Sequence, residues 1–227
     1  MRHITKGPEP AELRAYRGVP GATYDGGDFT PVKTAIRKAL LRDQYHLCCY
    51  CMRRIAEEPR PTSAKPDAVE EPWMKVEHWH PQAVYPEQAL LWSNMLGACW
   101  GGMGLPWDEQ HCDTRKGETE ILLDPQNAGH METLSMFSDG RLVSTDPQLQ
   151  DDLEHVLGLN ITALRREREA ALEGVLRALR ARYRKGPIPL KVLQRLADAM
   201  ELPVGGMLPA LCGVTRLYMR KRYRGQF

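Results

Sequence analysis

No apolar run in this 227-residue chain approaches the ~20 residues that a bilayer-spanning helix requires; the longest, such as Ile121-Leu122-Leu123, fall far short. A membrane protein is therefore not expected. The start, Met1 to Pro10, is polar with Pro and Gly and lacks the apolar h-region of a secretory signal, which points to the cytoplasm. Internal repeats and long low-complexity tracts are missing too, so the length reads as one ordinary domain plus an appendage. Cysteines are few and unsuited to a disulfide framework. There are six, two adjacent as Cys48-Cys49, and the C-x2-C spacing of Cys48 and Cys51 suits a metal in a reducing compartment.

Net charge is almost absent at +2, yet residues 161–227 carry 15 Lys/Arg against 5 Asp/Glu while residues 1–160 carry 16 against 24. A basic tail behind an acidic front suggests an acidic partner for the tail, although Arg-rich solvated helix faces give the same count.

Residues 1–30 hold many breakers, including Gly7-Pro8, Pro20-Gly21 and Gly26-Gly27, and read as an arm over a neighbouring surface. Pro31 behind Thr30 as N-cap opens a helix with Ile36, Leu40 and Leu41 on one face, running toward Tyr45 and into Cys48-Cys49-Tyr50-Cys51. Ala56 to Trp73 is rich in Glu, Pro, Ser and Ala and reads as a flexible loop. Met74-Lys75-Val76 reads as a strand before Glu77-His78, and Leu90 to Ala98 as a short helix or turn. Thr133–Phe137 and Arg141–Ser144 form a hairpin turning at Asp139-Gly140. Beyond Pro147, Leu153, Val156, Leu157, Leu164, Leu172, Leu176 and Leu179 recur at helical spacing until Gly186-Pro187. Helices near Leu190–Met200 and Met207–Tyr223 then complete a small bundle.

Four cysteines fall into two pairs, Cys48 with Cys51 and Cys99 with Cys112, and four thiolates around tetrahedral Zn2+ are the expected structural product. Twelve residues separate the second pair, but the insert from Trp100-Gly101-Gly102-Met103-Gly104 to His111 is Gly-rich and can loop out. Four buried thiols without a metal are the plain alternative, and His46 and His111 flank the cysteines as substitute ligands. Cys49 and Cys212 are expected in the core.

Within this frame lie Val76-Glu77-His78-Trp79-His80-Pro81, Trp92-Ser93-Asn94-Met95-Leu96-Gly97-Ala98-Cys99 and His111-Cys112-Asp113-Thr114-Arg115-Lys116-Gly117. Together they resemble the HNH endonuclease pattern. More closely, Cys-Cys-Tyr-Cys, Glu-His-Trp-His-Pro, Trp-x-Asn and His-Cys-Asp-x-x-Lys-Gly resemble the HNH subunit of Septu-type and retron-associated anti-phage defence systems, over about residues 30–130. The long insert and an Asp at position 113 depart from the pattern. The resemblance implies a zinc-stabilised ββα-metal core; joined to the arm and the helical tail read above, it gives an α+β fold with an N-terminal arm (1–30), an HNH domain (31–150) and a basic helical domain (151–227) contacting a partner or nucleic acid. It also implies cleavage of nucleic acid, taken here as DNA, and a partner ATPase, with homo- or hetero-oligomers open.

In phosphodiester hydrolysis a neutral imidazole is suited to take the proton of an attacking water near pH 7, and His78 is assigned that role. Glu77 and Asp113 are assigned to a catalytic Mg2+ or Mn2+. The resemblance gives Asn94 the task of holding the loop that carries the base. Glu77 and His78 are adjacent on an extended strand and so point to opposite faces unless the strand end turns. Arg115 and Lys116 are candidate nucleic-acid contacts or solvated charges. His78 and His80 are interchangeable at this level, His78 is alternatively a zinc ligand or core histidine, Glu77 a surface carboxylate and Asn94 an N-cap. For Trp73, Trp79, Trp92, Trp100 and Trp107 core packing is preferred over base stacking. The rival to a nuclease is a non-catalytic zinc-stabilised nucleic-acid-binding or adaptor module.

Overall fold

A computed structural model of the protein describes residues 1–56, 74–184, 186 and 188–223. The expected loop up to Trp73 therefore lies outside the described residues except for Ala56, as do Trp73 and Pro187. The architecture is α+β: among the described residues, two small antiparallel sheets are embedded among helices.

The N-terminal arm is more structured than its breakers suggest. Helix α1 (Ala11–Arg17) buries Leu13 against α2 (Phe29–Gln44), and Lys6 donates to the carbonyls of Trp92 and Met95. In α2, Phe29, Val32, Ile36 and Leu40 are buried at three- to four-residue intervals, with Leu41 beside them, the stripe expected of a helix facing a core. The helix starts at Phe29, behind Asp28, and not at a Thr30 cap. It stops where Tyr45 and His46 turn left-handed (φ 53° and 61°), which aims the chain at the cysteines.

Strand β1 (Lys75–His78) pairs antiparallel with β2 (Met95–Ala98), with Glu77 opposite Leu96 and His78 opposite Met95. The expected helix or turn at Leu90–Ala98 is a 3-10 turn at Trp92–Asn94 followed by this strand. All four β2 residues are buried, so the segment lacks the polar alternation that reveals a one-sided strand. The buried Gln44 amide donates to the Gly97 carbonyl (2.7 Å) and accepts from its N–H (2.6 Å), fastening α2 to β2. A side chain at position 97 would press on Ile55 and Gln44, which accounts for glycine there.

Helix α3 (Cys112–Lys116) follows the insert, and α4 (Ala128–Thr133) is capped by Asn127. The hairpin forms as read: β3 (Leu134–Met136) pairs with β4 (Leu142–Ser144), turning through Gly140 at φ 77°. The long C-terminal helix is interrupted. Helix α5 (Pro147–Asp151) runs into a π turn, the chain reverses at Gly158 (φ 56°), and α6 spans Thr162–Arg182. Helices α7 (Leu190–Met200) and α8 (Val214–Arg222) follow; of residues 207–213, expected to be helical, Met207 bridges to Val204, 208–209 are irregular and 210–213 are turns. One buried cluster extends from Met1 and Leu13 through the cysteines to Leu164, Leu172, Val214 and Leu217. The far end of α6 packs with α7 and α8 in a smaller one.

Among the described residues no helix is long and apolar enough to cross a membrane.

Candidate functional site

The Sγ atoms of Cys48, Cys51, Cys99 and Cys112 lie within 4.8 Å of one another, all buried. Cys51 and Cys99 are 3.6 Å apart and Cys48 and Cys112 3.9 Å. A tetrahedron with Zn–S bonds of ~2.3 Å has edges of about 3.8 Å, so this donor set can hold a structural Zn2+. The Cys48-to-Cys51 turn is docked on the ribbon by the Cys49 N–H, which donates to the Gly97 carbonyl (2.9 Å). The second pair closes because His111 N–H donates to Gly101 O (2.9 Å). Gly101 is left-handed (φ 54°), and a side chain there would collide with the His111 carbonyl. Met52 and Cys112 are also left-handed although neither is glycine (φ 63° and 56°), strain that marks a tightly determined site.

Of the alternative ligands, His111 points Nδ1 at Cys112 Sγ (3.1 Å) and Nε2 at Arg53 (3.1 Å), whereas His46 takes part in the turn through its backbone. Burial, then the Arg53 charge, hold the His111 pKa at about 4. Cys49 and Cys212 are both buried.

Beside the thiols, β1 and α3 bring two carboxyls together. Lys75 and Glu77 share one face of β1, and both act on Asp113: Lys75 Nζ is 2.8 Å from its Oδ2, and the Glu77 and Asp113 carboxyls influence each other's titration. Tyr50 OH donates to Glu77 Oε1 (2.7 Å), and Lys116 Nζ lies 3.0 Å from the same oxygen and 2.9 Å from the His78 carbonyl. Burial, and then the Asp113 carboxyl, push the Glu77 pKa well above the usual carboxylate range. For Asp113 burial acts upward, but the Glu77 hydrogen bond and the Lys75 charge outweigh it and the pKa falls.

The His78 ring has other neighbours. Its Nε2 pairs with the Ala89 carbonyl (2.9 Å), and Gln82 Nε2 lies 3.0 Å from its Nδ1. A carbonyl only accepts, so Nε2 carries the proton and Nδ1 the lone pair. Tyr24 stands edge-on over the ring at 4.6 Å, and burial lowers the His78 pKa. Asn94 Oδ1 accepts from His80 N–H (2.7 Å) while its Nδ2 donates to the carbonyls of His80 (3.0 Å) and Gln88 (3.3 Å). It thus clamps the loop that follows His78. His80 itself makes tilted ring contacts with Trp79 (4.3 Å) and Tyr85 (4.7 Å).

Arg115 and Lys116 diverge. Lys116 is 2 % exposed and bound to Glu77 and the His78 carbonyl, so it is not a surface contact in this conformation. Arg115 stacks on Trp107 (3.9 Å), and Trp107 is 62 % exposed while Trp92 is buried. The preference for core packing therefore holds for Trp92 and not for Trp107. Tyr24, Tyr50, Lys75 and Gln82 were not singled out from the sequence. Lys75 left a signal in its two-residue spacing from Glu77, and Tyr50 in its place within Cys-Cys-Tyr-Cys.

No known family model matches the chain. Over 93 residues, 41 % of the chain, it is 28 % identical to the Septu protein PtuB of Bacillus thuringiensis, and the match spans 28 % of that protein's length.

Proposed function

We propose that the chain is an HNH-type endonuclease that hydrolyses phosphodiester bonds of DNA with Mg2+ or Mn2+ beside a structural Zn2+, and that it serves anti-phage defence with an ATPase subunit. The observation that carries this reading is the meeting of Glu77 and Asp113, from β1 and α3, next to the cysteine cluster and His78. A divalent ion held by these carboxylates would supply positive charge to the phosphate and the departing oxygen.

The remaining roles belong to the chain itself. Ala89 fixes the His78 tautomer, so Nδ1 takes the proton of the attacking water once the Gln82 amide yields its place. Asn94 holds the base-bearing loop, and Lys116 and Tyr50 hold Glu77. Arg115 and the basic helical tail, residues 151–227, are assigned to phosphate or partner contacts, and the arm 1–30 and HNH region 31–150 to cover and catalysis. The defence role rests on the similarity to the Septu protein and on the order of the motifs. DNA as substrate and an ATPase as partner come from that resemblance.

The test is plasmid cleavage by the purified chain in Mg2+ or Mn2+, with and without an ATPase partner. Cleavage should vanish in His78→Ala while zinc content and Tm stay near wild type. A second reading, a non-catalytic zinc-stabilised binding module, is favoured by the closure of the site, with Glu77 1 % and His78 5 % exposed. Nucleic-acid binding without cleavage under every metal and partner condition would establish it.

A further inference from the structure

Four thiolates on one Zn2+ make a dianion, and in a buried setting such a charge requires compensation. The groups around the cysteines are arranged for that purpose. Arg53 lies at the hub: Nε and Nη2 engage Glu167 on α6 at 2.7 and 2.5 Å, and Nη1 is 3.1 Å from His111 Nε2. A guanidinium has only donors, so Nε2 must accept. In a neutral imidazole the proton then sits on Nδ1, which faces Cys112 Sγ at 3.1 Å and Cys99 Sγ at 4.0 Å. A nitrogen bearing that proton has no lone pair for a metal. It is a hydrogen-bond donor to sulfur.

A second observation is independent of the histidine. Arg168, also on α6, is 1 % exposed; Nε and Nη2 bond the carbonyls of Gly140 and Leu159, but the buried Nη1 has no hydrogen-bond partner among the described residues. Its guanidinium is electrostatically coupled to Cys51 and Cys112. A buried cation with an unsatisfied N–H, within electrostatic reach of Cys51 and Cys112, is accounted for by negative charge on the cysteine cluster.

We propose that His111 is not a zinc ligand but an N–H···S donor to Cys112, and that Glu167–Arg53–His111 and Arg168 together clamp α6 to a four-sulfur zinc dianion. The inference rests on the zinc reading and extends it: the helical tail becomes part of the metal site's outer support. Groups of this kind alter metal affinity by about 10- to 100-fold.

The experiment uses the full zinc-loaded chain, with X-ray absorption to read the donor atoms and a chromophoric chelator to time zinc release. The wild type should show four sulfur donors. His111→Ala should keep all four yet release zinc about 10- to 100-fold faster, and His111→Asn, whose amide N–H replaces Nδ1–H, should recover part of the loss. Arg53→Ala, which frees Nε2, should also accelerate release. A wild-type shell of three sulfurs and one nitrogen overturns the proposal while leaving the zinc reading intact, whatever the folding of the variants. So does wild-type release from both His111→Ala and Arg53→Ala. Wild-type protein that holds no zinc overturns both.

Discussion

The carboxyl groups of Glu77, on β1, and Asp113, in the first turn of α3, shift each other's pKa in opposite directions, up for Glu77 and down for Asp113, while Lys75 holds Asp113 and Lys116 holds Glu77. Two carboxylates in contact repel, so one proton or one cation belongs between them.

That proton gives a pH dependence. The Glu77 pKa is raised, so its neutral form stabilises the metal-free fold at low pH, and the contribution is lost as pH rises through the raised value. A divalent ion must displace the proton. Mn2+ affinity should therefore rise by up to about tenfold per pH unit while Glu77 is protonated, with about one proton released per ion. Calorimetric titrations in buffers of different ionisation enthalpy measure this, and pH-independent binding without proton release contradicts it. Glu77→Gln should lose both the binding and its pH dependence.

Asn94→Ala should loosen the loop after His78 and leave polar groups of His80 and Gln88 unpaired, costing about 2 kcal/mol of stability. If the role is orientation, kcat falls with KM little changed. Urea unfolding and steady-state kinetics separate the effects, and a variant with wild-type kcat removes Asn94 from the mechanism.

Cys51→Ser should release zinc and destabilise the chain by several kcal/mol, since binding energy at such sites is folding energy. Chelation of the wild type should lower its Tm in the same direction. Equal melting curves with and without chelator would count against a four-thiolate site.

Tyr24→Ala should uncover His78. The Tyr24 ring lies edge-on to it, and Lys33 both overlies Tyr24 (5.2 Å) and pairs with Asp25 (2.7 Å). Diethyl pyrocarbonate should modify His78 faster in the variant, and metal-dependent cleavage should rise. Lys33→Ala should shift both in the same direction with less loss of packing. Unchanged modification in both variants would show that the ring is not shielded by this segment.

The parts legible in the sequence are those written in local chemistry. Asp139-Gly140 specified a hairpin because the turn needs a left-handed glycine, and Cys48 and Cys51 announced a cysteine cluster able to hold a metal because their spacing has few other uses. Strand β2 was hidden because Met95-Leu96-Gly97-Ala98 is covered on both faces and loses its alternation. The break before α6 was hidden because leucines continue in period across Gly158, whose left-handed turn accompanies a Cys112 N–H donation to the Leu157 carbonyl (2.8 Å). Lys116 read as a phosphate contact or a solvated charge because its partner Glu77 is remote along the chain, and only tertiary packing makes it a buried counter-ion. The helix in the arm, α1, is two turns long and enclosed by breakers, too short for periodicity to register.

The amide of Gln44 gives the β1–β2 ribbon a property it would otherwise lack. A two-stranded ribbon is at best marginally stable by itself and leaves outward-facing peptide groups open to recruitment by another chain. At Gly97 those groups are already engaged, by Gln44 and by Cys49 N–H. An amide side chain and one turn of backbone thus substitute for a third strand. The ribbon bearing Glu77 and His78 is guarded at this rim against edge-to-edge aggregation, and its rigidity is borrowed from α2 and the cysteine turn.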